Sequence, residues 1–285
     1  MLGKLIKHEF KAVNRLMIPM HLGLILVTIV GRFYVQFAVN RWPSSAIDGY
    51  FTYNVWENLI NFTLVSFYVI ALIAIYAITN LYLLVLRPRK NLFTDEGYLT
   101  HTLPVSASEH IFSKLLVAAV WQLIDGLMLI LSVIGMFANQ DFFEGVATVW
   151  PEMVESFPYV FGVSAGIGMP LFLLMALMDM LSSILIIYMC LAIGHSFNSY
   201  RILASIGVYA GVSMITNLLS SAFMAIFGMN TYGPSISMFL VSSSAVSATD
   251  YFWSTFWFNS ILAVIMGVGA FLTANYFMSK RLNLE

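Results

Sequence analysis

LINFTLVSFYVIALIAIYAITNLYLLVL, Leu59 to Leu86, runs for 28 residues without a charged side chain. About 20 apolar residues suffice for a helix to cross the hydrocarbon core of a bilayer, so this stretch reads as a membrane span with residues to spare. The rest of the chain follows suit. Its 285 residues are 60% hydrophobic and 9% charged, where soluble domains carry about 25% charge. Five further runs reach spanning length, giving six in all: roughly 17–38, 59–86, 111–138, 160–194, 202–228 and 256–278. The fold class expected is an all-α integral membrane protein of six transmembrane helices. The second and fourth runs are long enough to tilt or protrude, and Pro170 is expected to kink the fourth.

Charge placement orients the spans. With the N-terminus inside, the inner side receives Lys4, Lys7, Lys11, Arg15, Arg87, Arg89, Lys90, Lys114, Arg201, Lys280 and Arg281, while the outer side keeps Arg32 and Arg41. Asp48, Glu57, Asp141, Glu144, Glu152, Glu155 and Asp250 then face outward. Eleven basic residues against two is a strong positive-inside bias, which makes both termini cytoplasmic. Residues 1–16 carry Leu2, Leu5, Ile6, Val13 and Leu16 near helical spacing, with bases mostly on other faces, as an amphipathic helix on anionic lipid would. The first apolar run is too long for a leader's core and no small-residue cleavage site follows it, so no cleaved signal peptide is expected. Between the last two spans, in the outer loop 229–255, Ile236–Val246 is apolar but too short to cross, and reads as a re-entrant or surface helix. The whole chain, 1–285, reads as one membrane domain.

Several chemistries are excluded. A net charge of −1 gives no case for nucleic acid. The one cysteine, Cys190, lies in an apolar run and reads as a small buried hydrophobe. His8-Glu9 opens like HExxH but meets Ala12 where the second histidine belongs, and no Cys/His cluster has metal spacing. The one Gly-Lys pair, Gly3-Lys4, has no room upstream for a phosphate-binding loop. GVSAG, Gly162–Gly166, matches GxSxG but opens a span, and the fifth and sixth spans hold no histidine to activate a serine. Gly162, Gly166, Gly207 and Gly211 are expected to permit close helix packing instead.

Charges inside the spans are expensive and need a reason. Asp125 and Asp179 lie mid-span, and Arg32 toward the outer end of the first span. They read either as a polar transport path or proton relay, or as structural groups, with Arg32 snorkelling or pairing with Asp125. Ser213, Asn217 and Ser220 are candidate polar residues of a substrate path.

The connection after the second span, KNLFTDEGYLTHTLPVSASEHIFSKLL (Lys90–Leu116), is polar yet studded with aromatics. Asp95 and Glu96 suit the first turn of a helix, Phe93, Tyr98 and Leu99 could enter a groove on a soluble partner, and Ser106 with Glu109 makes a capping box for the third span. That segment, with LIKHEFKAVNR (Leu5–Arg15), resembles the permease subunits of ABC exporters of the ABC-2 class. The resemblance extends over the six spans and the cytoplasmic ends. It implies that 1–16 is the connecting helix at the membrane surface, and that a coupling helix within the cytoplasmic loop 87–110 seats in a separate ATPase subunit. Asn91, Phe93, Asp95, Glu96, Tyr98 and Leu99 are the implied contacts, and the turn from His195 to Arg201 is the second one. It further implies no nucleotide-binding domain and no catalysis in this chain, with ATP and Mg bound by the partner ATPase. The implied assembly is a homodimer of permeases in the bacterial plasma membrane, exporting amphipathic peptides of the phenol-soluble modulin or bacteriocin kind, or hydrophobic drugs. Two other readings stay open: a proton-coupled secondary transporter using Asp125 and Asp179, and a peptide-sensing or resistance subunit that does not transport.

Overall fold

A computed structural model describes residues 2–41, 55–94, 96–97, 99, 102, 104–197, 199–232 and 248–280. Asp95, Tyr98 and the expected short helix at Ile236–Val246 lie outside them. Among the described residues there is no strand. The reason is the solvent: lipid offers no hydrogen bonds, so the backbone must satisfy itself within each segment.

The helices in chain order are α1 (Leu2–Arg41), α2 (Val55–Leu81), α3 (Arg87–Phe93), α4 (Ala107–Phe137), α5 (Gln140–Phe161), α6 (Ala165–Gly194), α7 (Arg201–Tyr232) and α8 (Ala248–Lys280), and a π turn, Tyr82–Leu86, joins α2 to α3. Six are long and apolar enough to cross a membrane: α1, α2 with its continuation into α3, α4, α6, α7 and α8. The basic segment from Leu2 and the first span form one unbroken helix, because neither a glycine–proline break nor a cap intervenes before Pro19, which lies inside it. In the same way α6 runs on as helix to either side of Pro170.

The chain divides into two compact units. The first comprises Gly3–Arg87 and Leu116–Val146. There, α1 turns Val13, Met17, His21 and Leu24 inward, each less than a tenth exposed, at the three-and-four spacing of one helix face. Gly31 lets α1 come close: a carbon added there would meet the Met136 and Tyr68 side chains at 3.4 and 3.7 Å. Hydroxyls fasten the same helices, with Ser132 of α4 bonding both Thr28 of α1 and Tyr68 of α2.

The second unit comprises Pro88–Leu115 and the chain from Ala147 onward. Its centre is the seam of α6 and α8, where Gly267 sits against Ser182, and Ala270 and Ala274 are almost wholly buried. Small residues let membrane helices approach, and van der Waals contact holds them. The glycines expected to serve this purpose mostly do not: Gly166, Gly207 and Gly211 have nothing within 4 Å of an added carbon. Near the start of α6, Phe157, Phe161, Phe172, Phe252, Trp253 and Phe256 form a continuous ring cluster, and the Trp253 indole donates to the Phe161 carbonyl at 2.6 Å.

One element has no counterpart in the sequence reading. α5 carries Pro151 and Pro158 inside it, residues that argue against a helix, yet it forms. Asp141, Glu144, Glu152 and Glu155 gather on one face, with Phe143, Val146, Trp150 and Met153 exposed on the other. It ends at Gly162, whose φ of +70° and bond to the Pro158 carbonyl make a left-handed cap.

Candidate functional site

Two constellations carry chemistry-bearing side chains, one in each unit. In the second unit, the connection after the second span meets the turn between α6 and α7. Phe93, at the end of α3, is 2% exposed and stacks on the His195 ring with centroids 4.6 Å apart and planes 23° from parallel. His195 is itself 1% exposed, and its Nδ1 donates to the Leu191 carbonyl at 2.8 Å. Two residues expected to touch a partner therefore touch each other. Phe93 turns inward because it is the last residue of a helix whose Pro88 and Leu92 are buried as well.

What the connection does present is different. Leu99 is 69% exposed, and Asn91 is half-buried on α3. Lys90 and Glu96 pair across the end of the helix at 3.1 Å, an exposed ion pair that contributes little stability. Thr94 closes the helix by donating to the Lys90 carbonyl, and Gly97 donates to the Thr94 carbonyl. Downstream, Ser106 and Glu109 form the expected capping box: the Ser106 amide donates to Glu109 Oε2 at 2.9 Å and the Glu109 amide to Ser106 Oγ at 3.3 Å.

The α6–α7 turn is tight. A carbon added at Gly194 would lie 2.6 Å from the Ser205 backbone nitrogen, so only glycine fits there. Tyr200 adopts φ of 55°, a left-handed conformation uncommon for a bulky residue, and holds its ring 81% exposed just before Arg201 opens α7. Sequence reading missed Tyr200, since nothing local announces a positive φ at an aromatic residue.

In the first unit, α1, α2 and α4 enclose a polar group at span depth. His21 Nε2 lies 2.8 Å from Asp125 Oδ1, with His21 9% and Asp125 4% exposed. His21 Nδ1 donates to the Met17 carbonyl at 2.8 Å. The Trp121 ring lies 5.3 Å from the imidazole, and Thr79 of α2 faces the same carboxylate. One turn along, Gln122 donates to the Asn80 side chain at 2.8 Å. His21 is the partner that the sequence did not identify: a histidine at the start of an apolar run looks like many others. Arg32, weighed as a partner for Asp125, instead donates to the Met136 carbonyl at 3.2 Å. Nearer the basic end, Arg87 Nε approaches Glu9 Oε1 at 3.4 Å.

The remaining candidates are dispersed. Asp179 is exposed on α6 near its midpoint. Ser220 donates to the Asn259 side chain of α8 at 2.7 Å, whereas Asn217 donates to the Ser213 carbonyl on its own helix and is exposed. Among the described residues, no three His, Cys, Asp or Glu side chains gather as a metal site. No known family model, curated protein or solved structure matches this chain.

Proposed function

We propose that this chain is the membrane-spanning permease subunit of an ATP-driven exporter, working with a separate ATPase and a second permease copy to move amphipathic peptides or hydrophobic molecules outward. The observation that carries the reading is the Phe93–His195 stack. A push on a loop is useful only if it reaches the spans. Here the loop after span two is packed, ring on ring, against the turn that joins spans four and five. In this reading both connections are cytoplasmic, as the basic residues around them favour. Leu99 of the loop, with Phe197 and Tyr200 of the turn, all more than half exposed, seat in the ATPase. Phe93 and His195 transmit its movement when ATP brings two ATPase subunits together. Such a switch works only through differential affinity for the two states, so the chain itself performs no bond chemistry.

The experiment is affinity purification of the full chain from its native membranes, with identification and activity assay of what remains bound. A stoichiometric P-loop ATPase is expected, retained by Phe93→Ala and lost in Leu99→Arg with Tyr200→Arg. In Phe93→Ala, substrate-stimulated ATP hydrolysis should fall on the order of tenfold, matching an aromatic contact of about 1.5 kcal/mol. A chain recovered alone after gentle solubilisation, or an ATPase indifferent to Leu99 and Tyr200, would overturn the reading.

A further inference from the structure

We propose that His21 and Asp125 form a proton-binding site between the first and third spans, in which one exchangeable proton shared by His21 Nε2 and Asp125 Oδ1 holds α1 against α4. The proton count follows from the hydrogen bonds. The Met17 carbonyl, 2.8 Å from His21 Nδ1, can only accept, so Nδ1 carries a hydrogen and donates it. With that hydrogen committed, the 2.8 Å contact between Nε2 and Oδ1 is a hydrogen bond only when a second proton lies between them. Drawn on the ring or on the carboxyl, that proton leaves the pair neutral as a whole. When it departs to water, a ring lone pair faces a carboxylate oxygen and one net negative charge remains among apolar helices. The contact between α1 and α4 changes from attraction to repulsion, and the two spans part.

The surroundings offer groups that a water could bond to and few competing charges. The Thr79 hydroxyl that faces the carboxylate donates to the Tyr76 carbonyl, which leaves Asp125 Oδ2, like Trp121 Nε1, buried without a hydrogen bond in residues 4% and 8% exposed. They are an acceptor and a donor one turn apart on α4, the chemistry needed to hold a water that delivers or takes the proton. From α1, His21 is the titratable neighbour of Asp125, and α2 contributes the uncharged Thr79. Along α1 the nearest charged side chains are Arg15 and Lys11, both exposed, about 9 and about 15 Å away along the axis at the rise of a helix. Arg32, bound to Met136, and Glu9, paired with Arg87, lie about 16 and about 18 Å away. Tyr68 of α2 is engaged with Ser132, two turns along α4 from Asp125. The site draws on no residue of the loop or turn assigned to the ATPase, so it stands or falls independently of the exporter reading.

The test uses the full-length chain in phosphatidylcholine nanodiscs, with nitrogen-15 in its five histidines and the carboxyl region followed by infrared difference spectroscopy. Spectra are taken from about pH 4 to about pH 10, the range over which carboxyl and imidazole groups titrate. His21→Gln identifies the His21 signals. The expected result is that a His21 Nε2 signal and a buried carboxyl band change together, at one pH, as a single proton leaves. Asp125→Asn should abolish both changes while the other four histidines keep theirs. If His21 and the carboxyl band respond at separate pH values, or if His21 responds identically in Asp125→Asn, the proposal is overturned. Should Asp125→Asn fail to fold, the joint or separate response of the unsubstituted chain, set against His21→Gln, still decides it.

Discussion

A carbon added at Gly267 would lie 2.5 Å from the Ser182 hydroxyl and 3.1 Å from its Cα. The second distance involves backbone, which cannot swing aside, so Gly267→Ala should cost about 1–3 kcal/mol, seen as a lower melting temperature of the solubilised chain. Gly207→Ala, with nothing nearby, should change stability by less than about 0.5 kcal/mol. Sequence alone cannot rank these glycines, since what distinguishes Gly267 is a serine 85 positions away on another helix. The same holds for His21. Asp125 was legible as a residue needing a partner, but the partner was set by which faces of α1 and α4 meet. His21→Leu should therefore cost about 3–5 kcal/mol by leaving a buried carboxyl unpaired, and His21→Leu with Asp125→Leu should recover most of it. Equal losses in the single and double variants, measured by denaturant titration, would refute that account.

At the level of elements, span number and placement were legible because a bilayer demands long apolar runs and the chain supplies them plainly. α5 was not, because two prolines suppress the local signal while the amphipathic pattern needs the whole 22-residue helix to emerge. Its polar face is acidic, so a place along the membrane surface would rest on apolar burial alone. With Cys190 replaced by serine, single cysteines along α5 should react with a membrane-impermeant maleimide at Asp141, Glu144 and Glu152 and resist at Val146, Trp150 and Met153. Uniform labelling would mean the helix stands clear of lipid. The π turn Tyr82–Leu86 is another feature that composition does not announce. A π turn absorbs one residue more than an α turn, so deleting Val85 would restore regular winding with Phe93 on nearly its present face, whereas inserting an alanine after Arg89, where no such turn absorbs it, would rotate Phe93 by about 100°. Under the proposed function the chain with the insertion keeps its spans and loses the coupling that Phe93 and His195 provide.

For the whole molecule, the described chain leaves much of α7 bare: Leu203, Ile206, Met214, Ile215 and Leu218 are each more than half exposed. Gly207 and Gly211, open and one turn apart, make a small-residue patch of the type that brings membrane helices together. In the proposed dimer, Gly207→Ile with Gly211→Ile should leave each subunit folded and shift the solubilised protein from two copies toward one, as native mass spectrometry would register. Unchanged assembly would place the interface elsewhere. Asp179 completes the picture from α6. A carboxyl exposed at the midpoint of a span costs about 2.5–3.5 kcal/mol on insertion scales, a cost met in full by a subunit that has found nothing to cover it. In the proposed dimer, a lone copy would carry this uncovered carboxyl as a mark of its own incompleteness. Were surplus copies cleared on that mark, the amount of this protein would follow the supply of the second copy that the proposal requires.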